Sequence, residues 1–354
     1  MDLGGGVSTL TYGAYVRLAH HLGIQAPRGK IGEFKVMVEI DEEILQALDV
    51  DFRSIFLNAR NGWQPVVHPD GTFSDEWGIR FRDVGDYTEM VEQPLARASL
   101  DDLEKFPWPD LRDKSRVRGL REKAGEYYGK GYAIALGSVG GRIFEQAQWL
   151  RGMGNFLEDL LVNVEFAEAL MDRLVAMQKD FFDSVLEEIG DLLEVICMGD
   201  DLATQRGLML SPELYRRLIK PRQAAVYGDV KAKCRAKIMH HSCGAVVPFI
   251  GDLIEIGVDI LNPVQPLAEG MDRGRLKKQF GRNICFWGGV DEQKVLPFGS
   301  AADVRREVQE AVESLGRGGG YVLSAAHNMQ PDVPPENILA MFAACREQKP
   351  RAGV

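Results

Sequence analysis

Between residues 193 and 328 the chain repeats one pattern: a short apolar or β-branched run ends directly in a cluster of polar side chains. Leu193-Glu194-Val195-Ile196-Cys197-Met198 runs into Gly199-Asp200-Asp201, and Ala236-Lys237-Ile238-Met239 into His240-His241-Ser242-Cys243-Gly244. Val258-Asp259-Ile260-Leu261 precedes Asn262-Pro263-Val264-Gln265, Ile284-Cys285-Phe286-Trp287 precedes Gly288-Gly289-Val290-Asp291, and Tyr321-Val322-Leu323 leads to His327-Asn328. Stretches with apolar residues three and four apart separate these runs, which predicts strand-helix units and a parallel sheet. Two earlier runs, Arg53-Ser54-Ile55-Phe56-Leu57 and Tyr132-Ala133-Ile134-Ala135-Leu136, bring the strands to seven. With Met1-Asp2-Leu3 read as the stub of another, the total is eight, the number that closes a (β/α)8 TIM barrel, so the expected fold class is α/β of that kind.

The intervening helices carry their own start and stop signals. Ser211-Pro212-Glu213 places a capping residue and an N1 proline before an amphipathic stretch over residues 214–236, and Pro334-Pro335-Glu336 does the same before residues 337–346. Ser300-Ala301-Ala302-Asp303 opens a helix that Gly318-Gly319-Gly320 stops. Residues 61–113, between the second and third strands of the count of eight, are rich in Pro, Gly, Asp and Trp and too long for an ordinary loop. They are expected to form an insertion over the barrel mouth, with a hairpin around Trp77-Gly78-Ile79-Arg80-Phe81, that brings Asp75 and Trp77 to the substrate pocket. The absence of a low-complexity linker favours one domain over residues 1–354.

Composition narrows the partners. A formal net charge of -10 argues against nucleic acid or an anionic membrane, and points to a small-molecule ligand. The five cysteines are scattered and odd in number, which fits a reducing, cytoplasmic address better than a disulfide framework. No run of about 18 apolar residues occurs and no basic-then-apolar leader opens the chain, so neither a span nor export is expected. A barrel with an exposed insertion often pairs, and a homodimer is one expected assembly.

In such barrels the reactive groups gather on the loops after the strands. An imidazole and a thiol two residues apart, His241 and Cys243, form a donor pair that suits Zn²⁺, and His327 is the best remaining third ligand if its strand end meets theirs. Asp200 and Asp201 are the catalytic candidates, although a helix cap or a solvated turn would explain them equally. Asn262, Gln265 and Asp291 are expected to line the pocket. Gly137-Ser138-Val139-Gly140-Gly141-Arg142 lacks the endings of a nucleotide loop, yet Arg142 at this strand-to-helix turn is placed to meet an anionic substrate group. His240, next to His241, must face the other side of its strand and pack against a helix.

These motifs together resemble the uroporphyrinogen decarboxylase superfamily, in the branch of zinc-dependent, corrinoid-linked methyltransferases. The residues that carry the likeness are His241-Ser242-Cys243-Gly244, Asp200-Asp201, Ser211-Pro212-Glu213-Leu214-Tyr215, Lys220-Pro221-Arg222, Asn262-Pro263-Val264-Gln265 and Gly288-Gly289-Val290-Asp291. Gly319-Gly320-Tyr321 through His327-Asn328 to Pro335-Glu336-Asn337 extends it towards the end of the chain. The resemblance implies a (β/α)8 barrel.

Two departures shape the expected chemistry. Decarboxylases of this family carry an arginine-rich segment near the N-terminus that grips the substrate's carboxylates, and residues 1–29 hold nothing of that kind. The methyltransferase branch usually has a cysteine where this chain has His327, whereas the decarboxylases have a histidine there. The resemblance thus implies a zinc-dependent methyltransferase, moving a methyl group between a small substrate and a corrinoid on a partner protein, or from the corrinoid to a thiol. The alternative is a decarboxylase acting on a small or tetrapyrrole acid, with His327 as proton donor rather than metal ligand.

Overall fold

The computed structural model describes residues 1–24, 30–31 and 37–348. Seven parallel strands lie side by side in chain order: β1 (Phe52–Ile55), β2 (Ala133–Gly140), β3 (Val195–Gly199), β4 (Lys237–His241), β5 (Ile260–Val264), β6 (Cys285–Val290) and β7 (Tyr321–Ala325). Each coincides with one of the seven apolar runs. The sheet curls into a (β/α)8-type barrel, and its two edges meet across the start of the chain. The Asp2 N–H donates to the Leu323 carbonyl of β7 at 3.1 Å, while the Asp51 N–H beside β1 donates to the Met1 carbonyl at 3.2 Å. Met1-Asp2-Leu3 therefore occupies the eighth position, bonded on both sides, although it is too short to count as a strand.

Strand alternation decides which residues face the barrel axis. Phe52, Ala135, Val139, Val195, Cys197, Met239, Ile260, Cys285, Trp287 and Val322 share one interior cluster with Val7. Their neighbours Ile55, Ile134, Leu136, Ile196, Met198, Ile238, Leu261 and Phe286 pack outwards against the helices. His241 keeps the parity of Met239 and so opens towards the mouth. His240 has the opposite parity, and its Nδ1 meets the Tyr227 hydroxyl at 2.6 Å on the helix Lys220–Lys233.

The residues 214–236 read as one helix are instead broken. A short turn, Pro212–Leu214, whose Leu214 N–H is capped by Ser211 Oγ at 3.1 Å, leads into a π-helical turn, Tyr215–Ile219, and then into Lys220–Lys233. Pro221 has no N–H to give to the carbonyl four residues back, and one wider turn absorbs the gap. The helix Ala301–Leu315 begins with the capping box of Ser300 and Asp303, and Pro335–Gln348 follows β7. No helix among the described residues is long and apolar enough to cross a membrane.

Residues 61–113 lie between β1 and β2 and contain a four-stranded antiparallel sheet: Val66–Val67, Phe73–Ser74, Arg80–Asp83 and Thr88–Glu92. Trp77 is in the turn of the central hairpin, where Asp75 Oδ1 accepts from the Trp77 N–H at 2.9 Å and the Ile79 N–H at 2.8 Å. Arg116 ties this turn down through a bidentate pair with Glu76, one arm of which measures 3.0 Å.

Candidate functional site

The polar ends of β3, β4 and β5 stand in register, with Gly199 beside His241 and His241 beside Asn262. Gly199 leaves room for this: a Cβ there would stand 2.5 Å from the His241 carbonyl oxygen and 2.9 Å from its Cβ. His241 Nδ1 donates to Asn262 Oδ1 at 2.6 Å, which leaves Nε2 as the nitrogen with the lone pair. That Nε2 lies 3.3 Å from Cys243 Sγ and 3.8 Å from Asp201 Oδ1. His327 arrives from the loop after β7, its ring centroid 5.7 Å from that of His241. One donor atom from each of His241, Cys243 and His327 lies within 4.8 Å of the other two.

The loop that carries Cys243 is fixed at its backbone. Asp201 Oδ1 accepts from the Cys243 N–H and Gln265 Oε1 from the Gly244 N–H, each at 2.7 Å. Gly244 has φ +86, and a Cβ on it would strike the Thr204 carbonyl oxygen at 2.4 Å, so only glycine allows the loop to pass this close. Asn262 and Gln265, both buried, support the metal-ligand candidates through these hydrogen bonds.

The two consecutive aspartates do different things. Asp200 is buried, and its Oδ1 accepts from the Ile143 and Glu145 N–H groups at 2.9 and 2.8 Å while Oδ2 accepts from Gln223 at 2.9 Å. It therefore caps the start of the helix Phe144–Arg151 and anchors it to the helix that carries Gln223, whose Oε1 in turn accepts from the Tyr215 hydroxyl at 2.8 Å. Only Asp201 stands with His241 and Cys243. Asp291 is also committed, its Oδ1 accepting from the Gln293 and Lys294 N–H groups at 2.8 and 3.1 Å.

Burial sets the charge state of the donors. It pushes the Cys243 thiol well above its ordinary range, reinforced by the negative charge of Asp201, Glu145 and Glu292. It lowers both imidazoles, His327 to about 4. Without a cation the triad is thus a thiol and two neutral imidazoles. Glu145 and Glu292, which the sequence reading did not single out, are raised by burial to about 8 and about 7, Glu145 against the opposing pull of Arg142. Their only sequence signals were the i,i+3 spacing of Arg142 and Glu145 and the adjacency of Glu292 to Asp291.

Beside this cluster a cavity of about 550 Å³ opens between the insertion and the ends of β1 and β2. Asp75, Trp77 and Arg142 line it, along with residues the sequence analysis had not named: Trp63, Phe73, Gln146, Trp149 and Phe181. Arg142 forms an ion pair with Glu145, Nε to Oε2 at 2.9 Å, and its guanidinium lies 4.9 Å from the centre of the Trp149 ring. His241, Cys243 and His327 are not part of this wall.

Comparison with known proteins places this arrangement. The family model for uroporphyrinogen decarboxylase (URO-D) matches residues 86–348. The chain belongs to the uroporphyrinogen decarboxylase family. Similarity to individual family members is low: a uroporphyrinogen decarboxylase from Pseudomonas aeruginosa (strain LESB58) is 20% identical over 322 residues, covering 84% of this chain and 86% of that protein. One from Legionella pneumophila (strain Corby) is 32% identical, but over 80 residues only, 23% of this chain and 22% of that protein's length. Among solved structures, a methyltransferase from Methanosarcina mazei superposes with a TM-score of 0.66 at 18% identity, covering 98% of this chain and 93% of that one. That likeness shows a shared fold over essentially the whole chain.

Proposed function

We propose that this member of the uroporphyrinogen decarboxylase family is a zinc-dependent methyltransferase, passing a methyl group between a small substrate and a corrinoid carried by a partner protein. The observation that carries this reading is the convergence of His241, Cys243 and His327 within 4.8 Å, with the His241 tautomer fixed by Asn262. Two imidazoles and a thiol are a donor set that suits zinc and leaves a fourth position for substrate, the mark of catalytic rather than structural sites. Bound there, zinc supplies a Lewis-acid position that holds a substrate thiol as thiolate or polarises the group bearing the methyl.

The remaining roles belong to this chain's own groups. Asn262 orients the His241 ring, and Asp201 holds the Cys243 loop through its N–H. Asp201 also stands 3.8 Å from His241 Nε2, placed to receive the proton that Cys243 gives up when a cation binds. The insertion and the ends of β1 and β2 shape the substrate cavity over the mouth, with Asp75, Trp77 and Arg142 in its wall.

The decarboxylase reading makes His327 a proton donor. Burial favours its neutral form, with a pKa of about 4, which makes it a ready metal ligand and leaves little imidazolium to donate at neutral pH. A tetrapyrrole with eight carboxylates also needs several unpaired cations, whereas the two arginines in the cavity wall are each paired with a glutamate. The test is metal content and methyl exchange between methylcobalamin and a thiol, in the wild-type protein and in Cys243→Ala. We expect about one zinc per chain in the wild type, with both zinc and exchange lost in the variant. Efficient turnover of uroporphyrinogen, or full methyl transfer by Cys243→Ala, would sink the methyltransferase reading in favour of the decarboxylase one.

A further inference from the structure

The cavity beside the triad has a wall chemistry of its own. Aromatic side chains reach it from three directions: Trp63, Phe73 and Trp77 from the insertion, Trp149 from the helix Phe144–Arg151, and Phe181 from the helix Val164–Ile189. Flat apolar walls favour a flat apolar guest, because ring-on-ring packing adds to the burial of area. Its volume of about 550 Å³ is that of a small-molecule site.

The formal charges of the wall balance, Asp75 and Glu76 against Arg116 and Arg142, with Arg116 held by Glu76 and Arg142 standing beside Glu145, so the cavity offers an ionic guest no net opposite charge. Burying an ion without a partner of its own is costly, which disfavours an anionic or a cationic guest alike. Most polar groups of the wall are likewise engaged. Asn58 Nδ2 donates to the backbone of Ser115, Arg116 and Arg118, Ser138 Oγ accepts from the Leu57 N–H at 3.0 Å, and Gln178 Oε1 accepts from the Gly141 N–H at 2.8 Å.

Gln146 differs. It lines the cavity and is 5% exposed, and its Nε2 is enclosed without any hydrogen-bond partner among the described residues. A donor in that state is costly to keep, and few remain in folded proteins without a reason. The last torsion of a glutamine is broad, so a turn of the amide offers the N–H to an acceptor inside the cavity. Gln146 also directly follows Glu145, whose N–H donates to Asp200, while the next residue, Asp201, accepts from the Cys243 N–H, so the helix that presents the amide to the cavity is tied to the loop of the triad.

We propose that this cavity is the recognition subsite for an uncharged aromatic ring bearing a hydrogen-bond-accepting oxygen, with Gln146 as the residue that reads the oxygen. The proposal names the substrate class for the methyl-transfer reading above and rests on it only for the chemistry, since ring binding is a property of the cavity alone.

The test is binding of four simple probes, followed by NMR titration of the full-length protein: acetophenone, ethylbenzene, benzoate and benzyltrimethylammonium. Acetophenone should bind best, with both charged rings weaker. Gln146→Leu should weaken acetophenone roughly five- to tenfold, the value of one neutral hydrogen bond, while leaving ethylbenzene unchanged. Gln146→Met, of similar volume, should behave the same way and guards against a folding defect in the first variant. Trp77→Leu should weaken acetophenone and ethylbenzene together. Cys243→Ser should bind all four probes as the wild type does while losing methyl transfer, so methyl transfer that persists in this variant with intact acetophenone binding would condemn the methyltransferase reading and leave the subsite standing. Equal binding of acetophenone and ethylbenzene, no change in both Gln146 variants, or a preference for either charged ring would overturn the subsite.

Discussion

The two sides of the barrel mouth are built on opposite plans. At the ends of β3, β4 and β5 the ligand candidates are held by neighbouring side chains: His241 by Asn262, Cys243 by Asp201, Gly244 by Gln265. At the ends of β1 and β2 the wall is aromatic, contributed largely by a segment outside the barrel. The first side fixes three donor atoms in a small volume, and the second leaves room. The division separates what must stay constant for the chemistry from what can vary with the substrate, and it lets the insertion be rebuilt without disturbing the ligands.

The largest effect that would break this contrast is expected at Asn262. Asn262→Ala removes the partner that fixes the His241 tautomer, and zinc affinity should fall about ten- to a hundredfold, read by competition with a chromogenic chelator. An unchanged affinity would mean that the rigid side is not rigid for the metal's sake.

The adjacent aspartates sharpen the contrast next. Asp200→Ala leaves two backbone N–H groups and the Gln223 amide without an acceptor in a buried place, and should cost about 2 to 4 kcal/mol in chemical denaturation while zinc still binds at low temperature. Asp201→Ala should cost less than about 1 kcal/mol of stability, because its carboxylate is half-buried and partners a single N–H, yet should loosen zinc. Equal destabilisation by both variants would erase the distinction between them.

A smaller effect is expected where the two sides meet, at the closure between β7 and β1. Asp2 is buried beside Ser8, the chain's amino group and Cys197, and burial raises its pKa from 3.8 to about 6. The folded state therefore favours the protonated acid. Its contribution to stability is complete below about pH 4 and is lost as the pH rises through about 6. Asp2→Asn, which stays neutral, should match the wild type at acid pH and exceed it by about 3 kcal/mol above pH 7, measured by denaturation at several pH values. A constant difference across that range would show that the carboxyl does not titrate on folding.

Much of this was legible in the chain. Strands fix their side-chain directions by simple alternation, so Met239, His240 and His241 could be sorted into inward and outward faces before any coordinates. A parallel barrel gathers strand ends on one side, so His241, Cys243 and His327 could be expected together. A helix cap was one reading of Asp200, but which helix it caps was not legible, because a cap contributed by a different strand-helix unit leaves no local trace: Ile143 and Glu145 are 57 and 55 residues away. Asp75 was expected at the pocket and lines it, but that its carboxylate caps the Trp77 turn was not legible, since a turn-capping aspartate and an open one look alike in sequence. The aromatic wall was hidden for a related reason: Trp149 and Phe181 sit at helical spacings that read as ordinary core. The break at Pro221 escaped because the apolar periodicity on either side continues through it.

The pairing of Asp200 and Asp201 has one more consequence. These two residues form a rigid strut with a grip at each end: Asp200 holds the first turn of the helix bearing Gln146 and Trp149, and Asp201 holds the loop bearing Cys243. Neither the helix nor the loop can slide along the barrel axis without the other. The separation between where a ring would be read and where the thiol stands is thus set like the marks on a ruler, and a substrate of the wrong length would miss one end while touching the other.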